Sequence, residues 1–327
     1  MFKSSGLAAI PLIGALAVTG CDLARLQDGL EIPSMGFVQQ VNDSEGFQAP
    51  RAITGYDTFD VPVEEDLRVR VHARETPGAR ANILLIHGAG GGAWVWEEFF
   101  ETIPRSYNLY ALSWRGHFDS APVANADSAA YVRDQIAVLA AIAQRNNLPL
   151  HVVGHSYGDA TAVLMAADPR VEIASLHLLA PVAPLDYSTT QRLLVPVIAP
   201  AFIKSENEAD GVFGGMFLSE ARMQHYFQRY AGQDFSDEKR GLIAKDGVSP
   251  GWQAQLAESY RTVGVRGIPT QIMIARYDNV VVPRRQRDAA ALANASVIAF
   301  ESGHYLPLDR QTDQVMLAIT AELDRLE

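Results

Sequence analysis

Six short, largely apolar runs, at 83–86, 109–113, 151–153, 176–179, 270–274 and 297–300, alternate with longer stretches of helical character. A strand with one face in water alternates polar and apolar residues, so a run that is apolar throughout has to be covered on both faces. Such strands, separated by helices, predict a mostly parallel sheet flanked by helical layers, because each parallel connection needs a crossover. Residues 128–145 carry Ala130, Ile136, Leu139, Ala140 and Ala143 at helical spacing and stop at Asn146 and Asn147, before Pro149. A second helix is expected directly after Ser156, running to Ala167. Upstream, 56–63 and 67–73 alternate with β-branched residues around Glu64, Glu65 and Asp66, which predicts a hairpin at a sheet edge. Between about 183 and 262 the rhythm breaks at Pro184, Pro196, Pro200 and a glycine-containing interruption at 211–215, with helical stretches at 219–230 and 237–244. This predicts an insertion between two strands.

Gly154-His155-Ser156-Tyr157-Gly158 fits the pattern G-x-S-x-G. The pattern alone is weak, but here a strand-like run precedes it and a helix-like run follows, the setting of a nucleophile elbow. A serine on so tight a turn is strained, and side chains at the flanking glycines would collide with the neighbouring strand and helix. In return the hydroxyl projects beyond the sheet, and the helix N-terminus behind it favours developing negative charge. A serine hydroxyl is a poor nucleophile at neutral pH; it needs a base, and the base an orienting carboxylate.

With this elbow, the chain resembles the α/β-hydrolase superfamily over roughly residues 55–327. His87-Gly88-Ala89-Gly90-Gly91-Gly92, after the run at 83–86, resembles the family's oxyanion loop, and the resemblance implies that the backbone N–H groups of Ala89 and Tyr157 hold the oxyanion. Ser113-Trp114-Arg115-Gly116-His117-Phe118-Asp119-Ser120 resembles the R-G-H-G-x-S loop after the next strand, with Phe118 where glycine is commoner, and reads as structural. The family order is serine, acid, histidine. By that order the base is His304, in Ser302-Gly303-His304 after the last strand, and the acid is Asp278, in the loop closing the run at 270–274; Asp186, one strand earlier, is the reserve. His155 is a poor base despite adjoining Ser156, because neighbouring side chains on an elbow point in different directions. Trp94 and Trp96 either line an acyl pocket or pack the following helix.

The resemblance implies an α/β-hydrolase fold with a helical lid inserted after the sixth strand, at 183–262. Phe202, Phe213, Met216, Phe217, Met223, Tyr226 and Phe227 make that segment apolar enough to cover an acyl chain, and equally to pack its own core. The implied activity is hydrolysis of a carboxylic ester, small or lipid, through an acyl-enzyme. The same residues serve cofactor-free haloperoxidases or perhydrolases, C–C hydrolases and thioesterases, and a non-catalytic binding module is a further alternative. Serine at the elbow argues against the family's dehalogenases and epoxide hydrolases, which carry aspartate there. No H-E-x-x-H, other metal-ligand spacing or G-x-x-x-x-G-K-[ST] occurs, so no metal or cofactor is expected.

The only cysteine, Cys21, closes an N-terminal segment with a basic Lys3 and an apolar run at 7–18. That run is shorter than the about 20 residues of a membrane span and reads as a secretory signal. Val18-Thr19-Gly20-Cys21 resembles the bacterial lipobox, in which cleavage precedes a lipidated cysteine. The expected division is a signal peptide at 1–20, a tether at 21–50, the hydrolase core at 51–182 and 263–327, and the lid between. A lipid anchor on Cys21 implies the bacterial cell envelope, and Asp22 after it resembles the signal for inner-membrane retention. The oligomeric state is not legible. With 27 Lys and Arg against 38 Asp and Glu, the chain has a formal charge of −11, which disfavours nucleic acid as a partner.

Overall fold

The computed structural model describes residues 47–123, 126–184, 217–234, 249–278 and 280–326. Strands β1 (Asp57–Glu64) and β2 (Leu67–Arg74) form the expected antiparallel hairpin at one edge, and β2 pairs antiparallel with β4 (Tyr107–Leu112). Beyond β4 every pairing is parallel, through β3 (Ala81–Ile86), β5 (Leu150–His155), β6 (Ser175–Leu179), β7 (Thr270–Ala275) and β8 (Ser296–Phe300). The described residues thus form one eight-stranded sheet in the order β1-β2-β4-β3-β5-β6-β7-β8.

The helices are α1 (Glu97–Thr102), α2 (Ser128–Arg145), α3 (Tyr157–Ala167), α4 (Glu220–Asp234), α5 (Pro250–Arg266), α6 (Pro283–Ala293) and α7 (Thr312–Leu326). In β3, Leu84 and Ile86 enter a core completed by Val138 of α2, Val163 of α3, Leu256 of α5 and Ala290 of α6. Ile83 and Leu85 enter the opposite core, with Phe99 and Phe100 of α1, Tyr226 of α4 and Ile319 of α7. Both faces of one strand are therefore buried, which is why the sequence shows an unbroken apolar run there.

Three expectations are corrected by packing. In α2 the inward stripe is Ala130, Tyr131, Asp134, Gln135, Val138 and Ile142, so Ala130 faces in as expected, whereas Ala140 and Ala143 face solvent. Two polar residues share that stripe because they find partners: Asp134 accepts from Arg115 Nε at 2.8 Å and Nη2 at 2.6 Å, and Gln135 donates to Thr161 at 2.7 Å. The core was expected to resume at 263, a boundary that falls inside α5. This helix packs on α3 and α6, so the body resumes by Pro250. It begins at a Ser249 N-cap accepting from Trp252 N at 3.2 Å and ends at the left-handed Gly267. The tether was expected to reach Pro50, yet Phe47 already lies edge-on to His225, centroids 5.4 Å apart, with the Arg222 guanidinium 4.9 Å from its ring centre.

The segment between β6 and β7 contains α4, as the sequence predicted. The helix expected at 237–244, Phe202, Phe213, Met216, the Phe227 side chain, the reserve acid Asp186, and Cys21 with the signal and most of the tether lie outside the described residues and side chains.

Candidate active site

The C-terminal ends of β5, β7 and β8 lie along one edge of the sheet, because parallel strands all point the same way. Ser156 follows β5, Asp278 follows β7 and His304 follows β8. This is the edge at which open α/β sheets bind ligands.

Ser156 has φ 55° and ψ −123°, a conformation that only a tight turn enforces. The turn is held by close backbone approach. A Cβ on Gly158 would stand 2.3 Å from the His87 carbonyl oxygen, and one on Gly154 would stand 2.5 Å from Asp159 Oδ1. Asp159 is fully buried behind the elbow, accepting from Leu179 N at 3.3 Å, and burial holds its pKa well above the usual carboxylate range.

His304 Nε2 lies 2.9 Å from Ser156 Oγ, and His304 Nδ1 lies 2.8 Å from Asp278 Oδ2. All three residues are buried. Asp278 also accepts from Val280 N and Val281 N on Oδ1 and from Gln286 Nε2 on Oδ2, each at 2.8 Å. A carboxylate ringed by N–H groups only accepts, so Nδ1 of His304 carries its proton and Nε2 offers its lone pair to the serine hydroxyl. The three residues singled out from the sequence are thus one continuous hydrogen-bonded chain.

His155 points elsewhere: its Nε2 donates to the His304 carbonyl at 2.9 Å. Burial, and secondarily the nearby His304, push its pKa well below the ordinary imidazole value, so it stays neutral and ties the elbow to the histidine loop.

The loop at 87–92 rests on the serine: a Cβ on Gly88 would meet Ser156 Cβ at 2.9 Å. The Gly88 carbonyl accepts from His87 Nδ1 at 2.7 Å and from Gly91 N at 3.2 Å, while His87 Nε2 accepts from Trp114 N at 3.1 Å. In a planar trans peptide the N–H opposes the carbonyl, so the Ala89 N–H projects away from this turn. Likewise Asp159 N binds the Ser156 carbonyl at 2.9 Å, which turns the Tyr157 N–H the other way at the first residue of α3.

Phe118, where the resemblance puts glycine, has φ 46°. That left-handed backbone explains why glycine suits the position. The Phe118 ring lies edge-on to Tyr230 at 5.9 Å, and a Cβ on Gly92 would come within 2.5 Å of Phe118 Cβ. Of the two tryptophans, Trp96 packs the following helix, edge-on to Phe99 at 5.0 Å. Trp94 instead stacks on Tyr230 of α4, 4.8 Å between centroids.

Sequence reasoning missed Gln286, which donates to Asp278 and accepts from Ala275 N at 3.0 Å, and Asp309, whose carboxylate accepts from Gly303 N at 2.7 Å. Neither carries a local signal; both sit on ordinary helical or turn positions. Among the described residues no group of three or more His, Cys, Asp or Glu side chains is arranged to hold a metal ion, and no helix is long and apolar enough to cross a membrane.

The profile described as Alpha/beta hydrolase family matches residues 83–316. The dihydrolipoyllysine-residue acetyltransferase component of the acetoin cleaving system of Cupriavidus necator is 33% identical over 138 residues, 40% of this chain and 33% of that protein. The monoacylglycerol lipase ABHD6 of Rattus norvegicus is 26% identical over 132 residues, 40% of this chain and 39% of that protein. The chain thus spans well under half the length of these curated relatives. Among solved structures, a thermophilic esterase from Thermogutta terrifontis superposes with a TM-score of 0.62 at 17% identity, covering 83% of this chain and 99% of that one. At that identity the likeness shows the fold alone.

Proposed function

The chain belongs to the alpha/beta hydrolase family, and from that premise we propose that it is a serine hydrolase cleaving a carboxylic ester through an acyl-enzyme. The observation that carries this reading is the unbroken chain from Ser156 Oγ through His304 to Asp278, at 2.9 Å and 2.8 Å. In this scheme the Ser156 oxygen attacks the ester carbonyl carbon as His304 Nε2 takes the hydroxyl proton. The tetrahedral oxyanion is held by the Ala89 and Tyr157 N–H groups, each such donor typically contributing about 3 kcal/mol in the transition state. Collapse breaks the bond to the alcohol, which leaves with the proton from His304. Water then attacks the acyl-serine, its proton passing to His304 and on to Ser156. Asp278 keeps Nδ1 protonated and stabilises the imidazolium. The insertion between β6 and β7 acts as a lid, with Tyr230, Trp94 and Phe118 forming an aromatic wall beside the oxyanion loop.

A fluorophosphonate should phosphonylate Ser156 in the folded protein; no adduct there overturns the reading. An ester panel graded by acyl length, run beside thioester and C–C substrates, then identifies the bond cleaved. We further propose that the mature chain is lipid-anchored through Cys21 to the bacterial cell envelope. If Cys21→Ser left processing and membrane association unchanged, the anchor is refuted.

A further inference from the structure

Asp309 lies outside the Ser156, His304, Asp278 chain, in the turn after His304, and is fully buried. One side of its carboxylate holds the histidine loop: Gly303 N donates to Oδ2 at 2.7 Å and Ser302 Oγ to the same oxygen at 2.9 Å. The other side holds the insertion as it enters α4. Leu218 N lies 3.0 Å from Oδ2 and 3.1 Å from Oδ1, and Ser219 N donates to Oδ1 at 2.9 Å. Arg310 N adds a contact of 2.9 Å to Oδ1. Five donors fill the roughly four lone-pair directions of one carboxylate.

This is more than α4 needs for capping, since Ser219 Oγ already accepts from Arg222 N at 3.2 Å. The same end of α4 is fastened to the body at neighbouring points. Arg222 pairs with the buried Glu98 and reaches the Leu308 carbonyl at 3.3 Å, Tyr226 donates to Glu98 at 2.8 Å, and Phe217 stacks on Tyr305 at 5.0 Å. The insertion therefore docks on the residues that carry His304 and those that immediately follow it.

We propose that Asp309 is a positioning residue that couples docking of the insertion helix to placement of His304, because one carboxylate binds both the Leu218 and Ser219 amides and the Gly303 amide. The proposal rests on the serine-hydrolase reading. When α4 is seated, the Leu218 and Ser219 amides just before it fix the carboxylate, and the carboxylate fixes Gly303, the residue preceding His304. When that acceptor is lost, the loop is free to shift, and a displacement of about 1 Å at a reacting group costs on the order of 100-fold in rate.

The test measures p-nitrophenyl acetate turnover and the rate of fluorophosphonate labelling on the full chain, corrected for the folded fraction. Asp309→Asn, which faces the converging N–H donors with an amide, should lower kcat by roughly 30-fold with KM within about twofold. Arg222→Met loosens α4 without touching the Ser156, His304 or Asp278 side chains; it should lower kcat roughly threefold alone and add nothing in the Asp309→Asn background. A purely structural Asp309 would lower melting temperature while leaving kcat per folded molecule within about twofold, which overturns the proposal, as do losses that multiply independently. If Asp309→Asn does not fold, Ser302→Ala, which deletes one donor on the histidine side, takes its place in the same cycle under the same criteria. A folded wild type inert to both probe and ester overturns the function reading, and the inference with it; an active wild type with unaffected variants overturns the inference alone.

Discussion

Replacing Gly158 by alanine tests whether α3 and the end of β3 approach as closely as the elbow requires. The added Cβ would lie 2.3 Å from the His87 carbonyl oxygen, 2.6 Å from that of Ile86 and 2.9 Å from the His87 carbonyl carbon. All three atoms are backbone, so no flexible side chain relieves the contact. Restoring an ordinary separation of about 3.3 Å demands a relative shift of about 1 Å between α3, which begins one residue after Ser156, and the strand that leads into the loop at 87–92. Overpacking of this kind costs about 1–3 kcal/mol, or roughly 2–12 °C in melting temperature for a chain of this size. The same shift separates the serine from the Ala89 amide, for an expected loss of about 100-fold in kcat for ester hydrolysis. Gly251→Ala is the control. It sits in the first turn of α5, where an added methyl would have nothing within 4 Å, and should hold or raise stability by up to about 1 kcal/mol with activity unchanged. Calorimetry and initial rates on both variants decide the matter. A Gly158→Ala protein with melting temperature and kcat like those of wild type would falsify the close approach and the account of the elbow built on it.

Asp278→Asn should keep the fold while lowering kcat by about 10⁴-fold, because an amide no longer fixes the His304 tautomer; initial rates against active-site titration measure it. Gln286→Met removes a donor to Asp278 and strands the Ala275 N–H, so stability should fall by about 1–3 kcal/mol and kcat drop with it. Acid should weaken the fold through His151 and His177, which are linked through Ser175 at 2.7 and 2.8 Å. Burial lowers both to about 4, with His177 adding to the effect on His151. Their contribution is present above the unfolded value near 6.5 and is lost as pH falls from there through 4. By pH 4.5 each histidine should have cost about 2 kcal/mol relative to pH 7. Urea unfolding of wild type and His151→Gln at the two pH values checks this; equal acid losses in both proteins would refute it.

Much of this protein is written locally. The runs at 83–86 and 270–274 announce strands covered on both faces because β3 and β7 alternate their side chains between two cores, and both cores are apolar. Ser156 is legible because an elbow needs glycines at fixed offsets. Asp278 and His304 are legible because each follows a recognisable strand in the order the family resemblance implies. The inward face of α2 is not, because Asp134 and Gln135 count as surface residues until Arg115 and Thr161 are seen beside them. Nor is the full extent of helix α5, whose membership of the body depends on Ala293 and α3, which no local pattern reveals.

The sequence by itself determined the parallel sheet and the elbow that carries Ser156, since periodicity and short-range spacing encode them; Asp278 and His304 were reached only through the order that the family resemblance implies. Only the tertiary structure decided that Gln286 steadies Asp278, that His155 turns from the serine to the His304 carbonyl, and that Asp309 joins the insertion to the histidine loop. Such pairings span up to 149 positions along the chain. A hydrogen bond is made by geometry between surfaces that meet only after folding, so neither partner's neighbours in sequence foretell it.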